Sequence, residues 1–201
     1  MQCRNYLWST FAMTLMAAGC EATAESQPQQ VEVSTQALSR PRAPNVPSAI
    51  KVPEGNALSF SAEAEGVQVY VCAESANGAA WTFERPDALL FGRWGLVIGH
   101  LYEGPTWEAL DDSFVAATES PDANEAPLRF EVDGAIPWLR YTATGFGGEG
   151  MFSKITYIHR IHTEAGLAPD SGCEPDHLGA RVRVRYTATY HFYETARPSR
   201  A

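Results

Sequence analysis

Nowhere in these 201 residues do apolar side chains recur with a sustained helical period of 3.6, and no segment repeats another. The first absence excludes a helical architecture, and the second excludes solenoids and propellers. Base is scarce: 15 Lys and Arg stand against 24 Asp and Glu, for a formal net charge of −9. The charge becomes −10 if residues 1–20, which hold Arg4 and no acid, are removed. Such a surface repels phosphate backbones, so nucleic acid is not expected as a partner. The only basic run is Arg181, Arg183, Arg185, whose alternation marks one solvated face of a strand. Beyond residue 18 no apolar run approaches the roughly 20 residues that a membrane-spanning helix needs. A Gly-x-Ser-x-Gly nucleophile elbow is also missing. Gly145, Gly147 and Gly150 formally match Gly-x-Gly-x-x-Gly, with Asp170 further on. A dinucleotide site needs a helix after that loop, and the β-branched, aromatic Met151–Ile158 follows instead. The glycines therefore read as a hairpin loop, and no cofactor is expected.

What the chain does contain is alternation. Across Ala180–Glu194, residues Val182, Val184, Tyr186, Ala188, Tyr190 and Phe192 fall on one face, and Arg181, Arg183, Arg185, Thr187, Thr189 and His191 on the other. A period of two over that length predicts an antiparallel strand with one face on a core and one mostly wet. The composition, 45% hydrophobic with 16 Gly and 13 Pro, suits many short strands joined by turns. Further strands are expected at Leu58–Glu63, Val67–Cys72, Trp81–Glu84, Thr106–Ala109, Ser113–Thr118, Leu128–Val132, Ile136–Thr144 and Met151–Ile161, with an apolar run at Trp94–Tyr102. Glu65-Gly66 reads as a turn between the first two, and Pro86 as the end of the third. Asp87–Phe91 fits either a short helical turn or a strand. The fold class is all-β: an antiparallel sandwich or flattened barrel in a single domain.

The N-terminus reads as an export signal. Arg4 supplies the positive charge and Tyr6–Ala18 the short apolar core. Met16-Ala-Ala-Gly-Cys20 resembles a bacterial lipobox, in which Cys20 is acylated and becomes the mature N-terminus; Ala22-Thr-Ala24 offers a competing, ordinary cleavage site. Glu21 in place of Asp points to the outer membrane, with a periplasmic or secreted protein as the alternative. Residues 1–20 are thus the signal, 21–50 a Pro-, Ser- and Gln-rich tether, 51–195 the β domain and 196–201 a tail. Cys3 leaves with the signal and Cys20 is lipidated or removed. Cys72 and Cys173 remain, and in an oxidising compartment they are expected to pair.

Several segments carry a further likeness. Val52-Pro-Glu-Gly-Asn, Tyr70-Val-Cys, Gly104-Pro-Thr-Trp-Glu, Ile136-Pro-Trp-Leu, Phe152-Ser-Lys-Ile-Thr-Tyr-Ile, Gly172-Cys and Tyr186-Thr-Ala-Thr-Tyr-His-Phe-Tyr occur in that order. Over about Ile50 to Glu194 the chain resembles the secreted bacterial and fungal family catalogued as domain of unknown function 3455. The resemblance implies an exported domain and no particular activity. The family pattern places His where this chain has Leu101, with His100 one residue earlier.

Function is read at two levels. A binding or structural role in the envelope is expected, with an extracytoplasmic hydrolase of cell-wall or extracellular polymer as the alternative. The candidate ligand site is His100, Tyr102, Trp107 and Glu108, around the Gly104-Pro105 turn. An imidazole, a phenol, an indole and a carboxylate there would suit a carbohydrate or another small polar ligand; the competing reading makes Trp107 a plug of the core. His159 and His162 are three apart, so on a regular strand they face opposite sides and cannot share a metal. Glu174, Asp176 and His177, beside Cys173, read as a polar surface loop rather than a metal site, and Asp111 and Asp112 as solvated turn acids. Trp81, Trp94, Trp107 and Trp138 are expected mainly in the core.

Overall fold

The computed structural model describes residues 41–76, 78–119 and 128–197. Nine antiparallel strands follow one another: β1 (Asn56–Ser75), β2 (Gly78–Phe91), β3 (Val97–Tyr102), β4 (Thr106–Ala109), β5 (Phe114–Thr118), β6 (Arg129–Val132), β7 (Ala135–Gly147), β8 (Ile155–Ala165) and β9 (Arg181–Thr195). Each pairs with its sequence neighbour except at β5, which skips β6 and pairs with β7; β9 returns to pair with β1. The sheet therefore closes into an up-and-down barrel, which leaves the principal strands no open edge. β6 pairs with the first part of β7 and extends the wall on that side.

β1 is one strand of 20 residues where two were expected. Gly66 does not turn the chain: a Cβ there would lie 2.2 Å from the Asp87 carbonyl oxygen and 2.5 Å from the Ala88 Cβ. Glycine at this position allows β1 and β2 to approach closely. Pro86 likewise sits within β2, next to a register shift opposite Val69 and Tyr70, so Asp87–Phe91 is strand. β7 runs on through Gly145 to Gly147, and turns at 151–154, not a helix, precede β8.

The inward face alternates with the outward one along every long strand. Small residues, Ala62, Ala64, Ala88 and Ala188, line part of the lumen and admit large ones opposite. Trp107, with no exposed surface, lies edge-on to Tyr141, Tyr190 and Phe192 at 5.2, 5.5 and 6.2 Å between ring centroids. Phe60 stacks on Phe192 at 4.7 Å and Phe152 lies 5.0 Å from it. These rings fill the barrel at the end where β1 begins and β9 finishes. Trp94 departs from expectation: it occupies a short 3-10 turn with φ 65° and is 86% exposed.

Outside the barrel, the segment before β1 crosses the wall of β7, β8 and β9. Ile50, fully buried, accepts a hydrogen bond from His159 Nε2 at 2.7 Å, and Arg140 donates to the Lys51 carbonyl. At the opposite end Cys72 and Cys173 form a disulfide, as the cysteine count implied. Reciprocal bonds between Cys72 and the Gly179–Ala180 backbone, both 2.8 Å, continue the ladder into that loop.

Candidate functional site

Above the aromatic floor the lumen stays open. A cavity of about 390 Å³ occupies the end of the barrel that carries the Gly104-Pro105 turn and the end of β5. Its floor and walls come from inward positions: Gln68 and Tyr70 of β1, Leu101 of β3, Leu139 and Tyr141 of β7, Arg160 of β8 and Tyr190 of β9. Phe83, Pro86, Pro105, Ile136 and Pro137 add apolar wall, and Glu84, Glu119 and Arg129 stand at the rim. Strand pairing alone places three of these side by side, since Arg160 is opposite Leu139 on one neighbour and Tyr190 on the other.

The polar groups are few and convergent. Arg160 is only 7% exposed, and its Nε and Nη2 donate to the Pro137 carbonyl at 3.2 and 3.0 Å. Burial pulls the guanidinium's pKa down, but the surrounding phenols of Tyr141, Tyr190 and Tyr186 and the Glu119 carboxylate outweigh it, and arginine in any case stays charged. None of the ion pairs among the described residues includes Arg160. The Gln68 side-chain amide nitrogen, on a residue 2% exposed, has no hydrogen-bond partner among the described residues. Tyr70 donates to the Gly166 carbonyl at 2.6 Å, and the Tyr186 and Tyr190 hydroxyls lie 3.5 Å apart. Burial raises the pKa of all four phenols, Tyr70, Tyr141, Tyr186 and Tyr190, so each keeps its proton at neutral pH.

The sequence-predicted patch divides between the two faces of the wall. Trp107 points into the core, while His100, Tyr102 and Glu108 are outward and half-buried. Those three do meet: His100 pairs across the strands with Glu108, the Tyr102 hydroxyl donates to Glu108 Oε2 at 2.9 Å, and the His100 and Tyr102 rings lie 5.6 Å apart. The imidazole Nε2 sits 3.1 Å from Asp87 Oδ1, and Arg183 binds the other Asp87 oxygen at 2.8 Å. Hydrogen bonds from Arg183 and then His100 hold the Asp87 carboxyl below its ordinary range, while burial and the Glu108 bond raise Tyr102. With Arg181 doubly bonded to Glu84, this is a polar network on a wet sheet face. Leu101, standing where the resembled pattern has His, is buried and lines the cavity.

Other candidates have structural work. Asp111 is no free turn acid: its carboxylate accepts from Ser113 N and Oγ and from Met151 N, tying the β4–β5 turn to the glycine-rich loop. His159, buried, accepts from the Tyr193 hydroxyl at 3.0 Å through Nδ1, whereas an irregularity after Ile161 turns His162 against the Trp138 ring. Trp81 donates to the Ser171 carbonyl beside the disulfide loop. Glu174, Asp176 and His177 cluster closely enough to hold an ion, but all three are exposed, and His177 Nδ1 pairs with Glu174 at 2.8 Å.

A family model described as "Protein of unknown function (DUF3455)" matches residues 53–97 and 92–194. No curated protein and no solved structure matches the chain.

Proposed function

The chain belongs to the DUF3455 family, and from that premise we propose that it is an exported, envelope-associated binding protein that takes a small molecule into the open end of its barrel. The observation that carries this reading is the cavity itself. Its volume, about 390 Å³, lies within the roughly 300–1,000 Å³ usual for small-molecule sites. It also has the usual composition, apolar and aromatic walls with a few convergent polar groups. Closed barrels of about eight strands commonly hold one small ligand in this position. The Cys72–Cys173 disulfide is compatible with an oxidising compartment. Among the described residues no helix is long and apolar enough to cross a membrane. Pro41 lies beside the start of β1 and the end of β9, at the end opposite the cavity.

The test is a library of neutral, cationic and anionic fragments screened against protein carrying ¹³C-methyl labels. Hits are expected to shift the methyls of Leu101, Ile136 and Leu139 and leave those of Leu110 and Ile155 in place. Hits confined to other surfaces, or none at all, would contradict a binding role for the mouth.

A further inference from the structure

We infer that the ligand of the barrel mouth is a monocarboxylate with a flat, ring-shaped apolar body, its carboxylate held by Arg160 and by the amide of Gln68. This rests on the reading of the mouth as a binding site and adds the chemical class of its occupant.

The charge of the ligand follows from Arg160. An isolated charge removed from water is costly unless a counter-charge or a full set of hydrogen bonds compensates it. Arg160 is buried and stays ionised, yet among the described residues its hydrogen bonds go to one backbone carbonyl and the Tyr190 hydroxyl, and Glu119 acts on it electrostatically without forming an ion pair. A guanidinium carries five N–H donors in a planar fork that matches a carboxylate. The Pro137 carbonyl occupies only its Nε side. An incoming carboxylate would supply the directly paired counter-charge that Glu119 does not, within an environment of low polarity, where the pairing is strongest.

A second observation, independent of the first, has the same sign. Gln68 lines the same cavity, and its amide nitrogen is buried and donates to nothing among the described residues. A buried donor without an acceptor costs about 1–3 kcal/mol. An acceptor-bearing ligand would satisfy it. The phenols around it keep their protons, so the interior as a whole offers donors. Its carboxylates, Glu84 and Glu119, stand at the rim, and Glu84 is occupied by Arg181.

That distribution also limits the ligand to one negative charge. Among the described lining residues a single interior cation balances a monoanion, whereas a phosphate dianion would carry a second charge past a rim where Arg129 is already paired with Glu131 and Glu84 and Glu119 are acidic, in a chain of net charge −9. The remaining walls, Leu101, Leu139, Ile136 and Phe83 with the faces of Tyr141 and Tyr190, favour an aromatic or alicyclic body over a polyol.

The experiment is a calorimetric titration of the protein with a matched set: benzoate, benzamide, benzyl alcohol, benzylammonium and phenyl phosphate. The Leu101, Ile136 and Leu139 methyls are followed by NMR in parallel. Benzoate is expected to bind saturably and shift those methyls, with each neutral or cationic analogue at least 10-fold weaker. Arg160→Gln should weaken benzoate about 30-fold or more, as expected when a hydrogen-bonded charge loses its partner. Gln68→Met should weaken it several-fold. If Arg160→Gln does not fold, the comparison of benzoate with benzamide on the wild-type protein decides. Benzamide or benzylammonium shifting the mouth methyls as well as benzoate would overturn the carboxylate inference and leave the binding reading standing. Phenyl phosphate binding more tightly than benzoate would overturn the monoanion limit. No methyl shift with any of the five would overturn the inference, and silence across the wider fragment library would overturn the binding reading with it.

Discussion

Trp107 and His159 show how much a single side chain can settle. Trp107 is fully buried among three aromatic rings, so Trp107→Ala should lower stability by about 3–5 kcal/mol. Urea denaturation measures this, and a loss under about 1 kcal/mol would contradict the placement. His159 is held neutral: burial depresses its pKa to about 4, its Nε2–H donates to Ile50, and its Nδ1 accepts from Tyr193. A folded pKa below the unfolded value of about 6.5 means that stability is fully present above pH 6.5 and is lost as the pH falls toward 4. The complete drop corresponds to roughly 3 kcal/mol. His191, pushed to about 4 by burial first and then by His159 and His162, acts in the same direction. Melting temperatures at pH 7 and pH 5 should therefore differ by more in the wild type than in His159→Gln, whose amide keeps a donor for Ile50. Equal differences would mean that His159 does not titrate in this window. The sequence marks both residues without marking their faces. The alternation of β4 and the turn at Gly104-Pro105 left Trp107 free to be read on either side, and only closure of the sheet makes its side the inside.

Among the elements, β9 was legible nearly to the residue, because strict alternation over fifteen positions admits one interpretation. β1 was not, because glycine signals a turn and a close strand contact with the same letter. Gly66→Ala separates the two meanings: with β2 backbone 2.2 Å from the new Cβ, folded protein should be sharply reduced in expression and in melting temperature. An unperturbed melt would restore the turn reading. The β7–β8 loop is tied down by the Asp111 carboxylate, whose pKa the Ser113 hydroxyl, then the Met151 and Ser113 amides, hold below its ordinary range. Asp111→Ala should speed amide hydrogen exchange across residues 148–154 while leaving β9 protected; uniform exchange rates would deny that anchor. The disulfide closes a separation of 101 residues. Its reduction should cost about 4–5 kcal/mol, seen as a lowered melting temperature that Cys72→Ser reproduces. Two freely reacting thiols in the unreduced protein would show that the bond is absent. Pairing of these two cysteines was readable in the sequence once Cys3 and Cys20 were read as belonging to an export signal.

For the whole molecule, all-β class and antiparallel pairing were legible in period and composition, and the choice between sandwich and barrel was not. Closure depends on β5 bypassing β6 to reach β7, a long-range pairing with no local signal. The cavity was hidden for the same reason. Gln68, Arg160 and Tyr190 lie far apart along the chain, and Arg160 sits in a strand between His159 and Ile161, where nothing in its neighbours marks it as inward. Only once the strand's faces are known does an inward arginine become unusual enough to suggest a site. Cys20, the anchoring residue of the proposal, lies outside the described residues. Lipidation there predicts that the mature protein partitions into detergent and that Cys20→Ala releases it; a soluble wild-type protein starting at Glu25 would refute the tether. The most direct test of the whole account is a crystal structure of the protein with 4-iodobenzoate, located by the anomalous signal of iodine. The account predicts one dominant iodine peak inside the barrel mouth between Leu101 and Leu139, with the carboxylate against Arg160 and Gln68. Iodine found only on the outer wall, or a carboxylate turned away from Arg160, would contradict it.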